Sequence, residues 1–114
     1  MKNPVPAPHI FDRLFAVIKA KRRADPATSY TASLFKRGMP VIAKKLGEEA
    51  TETIIEAVRG DKAQLREESA DLLYHLFVLW AAAGITPEQV GKILYKRFGT
   101  GGLVEKAQRS KAEK

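Results

Sequence analysis

The chain has 114 residues and no cysteine, is 45% hydrophobic, and carries 20 Lys and Arg against 13 Asp and Glu for a net charge of +7. One domain is expected at this length, able to bury about 60–70% of its unfolded surface, and the lack of Cys excludes a disulfide scaffold, a thiolate zinc site and a cysteine nucleophile. The longest apolar run, residues 72–84, contains His75 and falls short of the roughly 20 residues of a membrane span; residues 1–8 lack the apolar core of a secretory signal, so a soluble, cytoplasmic protein is expected.

Residues 1–9 read as a Pro-rich lead, expected to be mobile. Over residues 10–23, Phe11, Leu14, Phe15 and Ile18 recur at helical spacing, and Asp25-Pro26 stops that helix. Residues 24–40 open as a hydroxyl-rich loop in which Ser29 or Thr31 can cap one short helical turn ended by Gly38. Pro40 suits the first turn of a helix reaching residue 59, with Gly60 as its stop. Asp61 and Gln64 make a capping-box-like start for a helix that runs to residue 83 and ends at Gly84. Thr86-Pro87-Glu88-Gln89 starts another, with Thr as N-cap, Pro first and Gln three residues after the cap, continuing to Phe98. Gly99-Thr100-Gly101-Gly102 is expected to be a flexible break, opening a basic tail over residues 99–114. No alternating strand pattern occurs, so residues 10–98 are predicted to form an all-α domain.

The charge is unevenly placed. Residues 48–71 hold eight acids against three bases, a net −5, which leaves +12 on the rest of the chain. A nucleic-acid binder would show a basic face, and only the outer segments fit that description. An acidic centre within a basic chain points to a cation held by carboxylates with a polyanion around it; the alternative is a set of solvated helix faces.

On a helical wheel of residues 40–59, Ala43, Leu46, Ala50, Thr53, Ile54 and Ala57 form the apolar stripe. Glu49, Glu52 and Glu56, with Lys45, line one flank, and Glu48 falls almost opposite the stripe. In the next helix the stripe is Leu65, Leu72, Leu76 and Leu79, and the flank is Gln64, Glu68, Asp71 and His75. Two helices joined by so short a turn are antiparallel neighbours, so Glu49, Glu52, Glu68 and Asp71 can meet at one seam. Carboxylates stacked beside a core repel unless something neutralises them. All-oxygen donors with few His and no Cys favour Mg²⁺ or Mn²⁺ over Zn²⁺; an exposed acidic face balanced by Lys44, Lys45, Arg59 and Arg66 is the competing reading.

His75, set among Leu72, Leu73, Leu76 and Phe77, reads as a hydrogen-bonded, partly buried residue. The run LLYHLFVLWAAA is apolar around nearly its whole circumference, which calls for burial on several sides. A homodimer that completes a four-helix-bundle-like core is the simplest way to supply it. The Gly99–Gly102 run lacks the strand and Lys-Ser/Thr of a phosphate cradle, and the tail bases Lys106, Arg109, Lys111 and Lys114 read as solvated.

The segments SYTASLFKRGMPVIAKKLGEEATETIIEA and EESADLLYHLFVLWAAAG resemble the phosphoribosyl-ATP pyrophosphatases of histidine biosynthesis. That family lies within the all-α nucleoside triphosphate pyrophosphatases, whose mark is a Glu-x-x-Glu and a Glu-x-x-Asp pair, matched here by Glu49 with Glu52 and Glu68 with Asp71. The resemblance covers residues 10–98. It implies Mg²⁺-dependent hydrolysis of phosphoribosyl-ATP to phosphoribosyl-AMP and pyrophosphate, in a dimer or dimer of dimers. Glu49, Glu52, Glu68 and Asp71 are then the expected metal ligands and catalytic carboxylates, with Glu48 beside them as a further catalytic candidate. Lys36, Arg37, Lys44 and Lys45 are candidates to neutralise phosphates, and Ser29, Tyr30 and Thr31 match the family's loop as candidates to hydrogen-bond substrate. No fused cyclohydrolase-like segment fits within 114 residues, so the next step is expected on another chain. Two alternatives stand beside this reading: a housecleaning pyrophosphatase acting on a non-standard nucleotide, and a basic helical nucleic-acid-binding or interaction protein with a vestigial cluster. A pure binder has no reason to keep four carboxylates on one seam, so a small-molecule substrate is expected rather than nucleic acid or a membrane.

Overall fold

The computed structural model describes residues 7–100 as five helices in succession: α1 (Ala7–Lys21), α2 (Tyr30–Arg37), α3 (Met39–Arg59), α4 (Lys62–Ala83) and α5 (Pro87–Thr100). The all-α expectation holds, with no strand among the described residues. Most of the expected mobile lead (residues 1–6) and of the basic tail (residues 101–114) lies outside the described residues. Gly99 and Thr100, expected to begin a break, are instead the last two residues of α5.

The helix ends carry the chemistry that the sequence signals. Ser29 caps α2 by accepting a hydrogen bond from the Ala32 N–H at 3.1 Å. The eight residues of α2 exceed the single turn expected. Gly60 takes the left-handed conformation (φ 78°), its N–H meeting the Glu56 and Ala57 carbonyls, a geometry costly for a residue with a Cβ. One residue later Asp61 Oδ1 accepts from the Gln64 N–H at 3.0 Å, so α3 and α4 reverse direction over two residues. At α5 the Thr86 hydroxyl accepts from the Gln89 N–H at 3.2 Å while the Gln89 side chain accepts from the Thr86 N–H at 3.0 Å, a reciprocal capping box.

The core gathers at one end of the α3–α4 pair. Phe15 and Ile18 of α1, Leu34 of α2, Ile42 of α3, and Phe77, Val78 and Ala81 of α4 form a single buried cluster. Full burial of a side chain such as Leu34 or Val78 contributes roughly 1.5–3 kcal/mol. Phe11 and Phe15 meet Phe77 edge-on, with ring centroids 6.0 and 6.3 Å away. Arg22 ties this end together, donating to the Ala81 carbonyl at 3.1 Å and lying over the Phe35 ring; the cation faces the carbonyl end of α4, where the helix dipole favours it. No residue from Thr51 to Asp71 is buried.

The stripe expected on α3 is displaced. Its inward face runs through Ile42, Lys45, Leu46, Glu49, Thr53 and Glu56, all buried or half-buried, whereas Ala43, Ile54 and Ala57 are exposed. The physical reason is that α4 is the neighbour of this half of α3, and α4 packs against the carboxylate flank rather than the aliphatic one. Ile54, Ile55 and Val58 are left facing outward, Val58 at 83% exposure. On α4 likewise, the leucine stripe Leu65, Leu72, Leu76 and Leu79 is only half-buried, and the side turned to the core is His75, Phe77, Val78 and Ala81. Among the described residues no single helix is long and apolar enough to cross a membrane.

Candidate active site at the α3–α4 seam

Antiparallel pairing over the Gly60–Asp61 turn brings the Glu-x-x-Glu of α3 level with the Glu-x-x-Asp of α4. Thr53 links the two at that level: its hydroxyl lies 2.7 Å from the Glu49 carbonyl in its own helix and 3.2 Å from the Glu68 carbonyl across the seam. Glu49, Glu68 and Asp71 each offer a carboxylate oxygen within 4.8 Å of the others. Glu49 and Glu68 are half-buried, Asp71 and Glu52 exposed.

Glu52 joins the same cluster electrostatically. The carboxylates of Glu49 and then Glu68 push its pKa above the ordinary range; burial, a hydrogen bond with Glu68 and the charge of Asp71 act in the same direction. Gln64 donates to Glu68 Oε2 at 3.3 Å, but Glu68 Oε1 is buried without a hydrogen-bond donor. A buried carboxylate oxygen with no donor is costly, and a cation is the partner that such an all-oxygen set would take. Ion pairs on α3 engage its two other carboxylates, joining Lys45 to Glu48 at 3.5 Å and Arg59 to Glu56 at 3.6 Å. Glu48 is thus paired with Lys45 and is not one of the three converging carboxylates. Lys44, Gly47, Glu48, Thr51 and Glu52 line an open groove along the adjoining face of α3. Lys36 and Arg37 are exposed in the last turn of α2.

The hydroxyl trio divides three ways. Ser29 is occupied as the α2 cap. Thr31 is buried, its hydroxyl hydrogen-bonded to that of Tyr74. Tyr30 is half-exposed and its hydroxyl meets His75 Nε2 at 3.1 Å. His75 is the buried, hydrogen-bonded residue expected, with Nδ1 on the Asp71 carbonyl at 2.8 Å. Burial raises the pKa of the Tyr74 hydroxyl; Tyr30 adds to that, and the Thr31 bond opposes it. The Tyr30–His75 pairing joins residues 45 apart in the chain, and no local spacing could signal it.

Two acidic pairs, each spaced three residues apart and gathered at one seam of a helical hairpin, have the form of the all-α pyrophosphatase class. Comparison with known proteins narrows this. Residues 11–98 match the phosphoribosyl-ATP pyrophosphohydrolase family. A phosphoribosyl-ATP pyrophosphatase of Azospirillum brasilense is 60% identical over 100 residues, covering 88% of this chain and 90% of that protein. Those of Rhodospirillum rubrum and Rhizorhabdus wittichii are 53% and 55% identical, covering 96% and 88% of this chain and 93% and 94% of theirs. The chain belongs to the phosphoribosyl-ATP pyrophosphohydrolase family and is a hydrolase.

Proposed function

We propose that this chain hydrolyses phosphoribosyl-ATP to phosphoribosyl-AMP and pyrophosphate, the second step of histidine biosynthesis, in a Mg²⁺-dependent reaction in the cytoplasm. The observation that carries the reading is the convergence of Glu49, Glu68 and Asp71 within 4.8 Å, with Glu52 coupled to them, in a chain whose relatives bear that enzyme's name.

Water adds across the α–β phosphoanhydride: one P–O bond forms, the bridging P–O bond breaks, and a proton is released. Glu49, Glu52, Glu68 and Asp71 would hold the Mg²⁺. When bound, the ion supplies positive charge to the triphosphate oxygens and acidifies a water. Such an ion would offer the buried Glu68 Oε1 a partner and would relieve the repulsion felt by Glu52. Lys44, which lines the α3 groove with Glu52, is placed to balance phosphate charge, with Lys45 on the same helix and Lys36 and Arg37 at the end of α2 as further candidate cations. Glu48, paired with Lys45 beside Glu52 in the same groove, is a further carboxylate within reach of the cluster. With Ser29 and Thr31 engaged inside the fold, Tyr30, the first residue of α2 and half-exposed, is the one of the three left to meet substrate.

The reading includes a homodimer, or a dimer of dimers. Ile54, Ile55 and Val58 on α3 are exposed, and the α4 leucines remain half-covered; a second hairpin laid against them completes a four-helix bundle.

The deciding experiment measures pyrophosphate release from phosphoribosyl-ATP, with and without Mg²⁺, beside ATP, dCTP and dUTP. Mg²⁺-dependent release from phosphoribosyl-ATP alone is expected. Release only from another nucleotide would move the protein to a housecleaning role, and no release from any of them would leave the seam a solvated acidic face.

A further inference from the structure

Gly47 stands in the interior of α3, where glycine makes a helix less stable than alanine does. A Cβ built on it meets no atom within 4 Å, and its φ is negative, so neither packing nor backbone conformation among the described residues calls for glycine there. The space that it keeps open belongs to the α3 groove, about 560 Å³ in volume, whose other walls are Lys44, Glu48, Thr51 and Glu52. That volume is in the range of small-molecule sites. Glu52, hydrogen-bonded with Glu68 across the seam, makes the groove continuous with the carboxylate cluster.

Gly47 does not hold a ligand through hydrogen bonds. Inside the helix its N–H and C=O belong to the backbone ladder, and its carbonyl also accepts from the Thr51 hydroxyl at 3.0 Å. What it offers is room for a ring to come against the helix backbone. The side chains around that room accept rather than donate: Glu48 and Glu52 are carboxylates, and the Thr51 hydroxyl, its proton given to Gly47, keeps only lone pairs. Phosphate oxygens find no donor among these three, whereas sugar hydroxyls find acceptors. Lys44, the lining side chain that does donate, lies a turn beyond Gly47 as seen from Glu52. We propose that Gly47 is a specificity-determining residue: it lets a ribose ring of the nucleotide seat against α3, with Glu48, Thr51 and Glu52 accepting from the sugar hydroxyls. The proposal rests on the reading that the seam hydrolyses phosphoribosyl-ATP.

Gly47→Ala adds one methyl group, and helix propensity and ligand fit then pull in opposite directions. Wild-type turnover of phosphoribosyl-ATP establishes the reading first; without it both the reading and the proposal fall. With it, Gly47→Ala is expected to raise Tm and yet to raise KM and the inhibition constant of phosphoribosyl-AMP by about 5- to 100-fold, the effect of one methyl group forced into a filled contact. The inhibition constant of pyrophosphate, which carries no sugar, should stay as in the wild type. Gly91→Ala in α5 is the control, another helix-interior glycine at which a Cβ meets no atom within 4 Å; it should leave KM unchanged. An unchanged KM in Gly47→Ala, or equal weakening of both products, overturns the proposal. A rise in KM that comes with a smaller species in sedimentation overturns it too, since the open space then belongs to a second copy of the chain.

Discussion

The two ends of the α3–α4 hairpin are built on opposite terms. At the end where Ile42 meets Phe77, Val78 and Ala81, α1 and α2 close over the pair and side chains such as Leu34 and Val78 are wholly buried. At the turn end the helices face each other through Glu49, Glu52, Glu68 and Asp71, and nothing from Thr51 to Asp71 is buried. One end secures the fold; the other holds charges that the fold alone leaves in mutual repulsion. A rigid core next to a strained polar seam is how a small chain keeps costly groups in place.

Substitutions at the two ends should therefore separate activity from stability. Glu49→Ala or Asp71→Ala is expected to abolish turnover while the circular dichroism spectrum keeps its helical form; full activity in either variant would break the assignment. Leu34→Ala, at the packed end, is expected to cost about 2–5 kcal/mol in denaturant unfolding, and a cost below about 1 kcal/mol would mean that the core lies elsewhere. Val58→Asp at the open end should leave the helical content of the chain intact and shift the protein to a smaller species in sedimentation, because it puts a charge on a surface that the proposed second copy covers.

A smaller effect tests the repulsion directly. Glu52 binds its proton more tightly in the folded chain than in the unfolded one. Its contribution to stability is thus greatest below the unfolded carboxylate pKa and is lost as pH rises through the folded value. Glu52→Gln should therefore raise Tm in EDTA at pH 7, and the gain should disappear near pH 4. A variant less stable than the wild type at pH 7 would show that the seam is not strained. Smallest is Thr53→Val, which removes the hydroxyl between the Glu49 and Glu68 carbonyls and should cost on the order of 1 kcal/mol, read from the urea midpoint.

The sequence made the helix ends legible because caps are local. Asp61 with Gln64, Thr86 with Gln89, and the stops at Gly60 and Gly84 all act within four residues. The carboxylate quartet was legible for the same reason: two short spacings on helices joined by a tight turn. The inward face of α3 was misplaced because a wheel weighs every apolar residue alike. It cannot tell Leu46, which the fold half-buries, from Ile54, which it leaves exposed. The hydrogen bond between Tyr30 and His75 joins residues far apart along the chain, and only the assembled fold reveals it.

The turn at Gly60 and Asp61 also bears on how fast the protein folds. Everything at the seam lies on one helical hairpin, so its assembly needs only a short loop to close, a low-contact-order event. The same closure draws four like charges together. The electrostatic barrier therefore falls on hairpin formation itself, and added salt, by screening those charges, speeds the folding limb of the kinetics if the hairpin is already formed in the transition state.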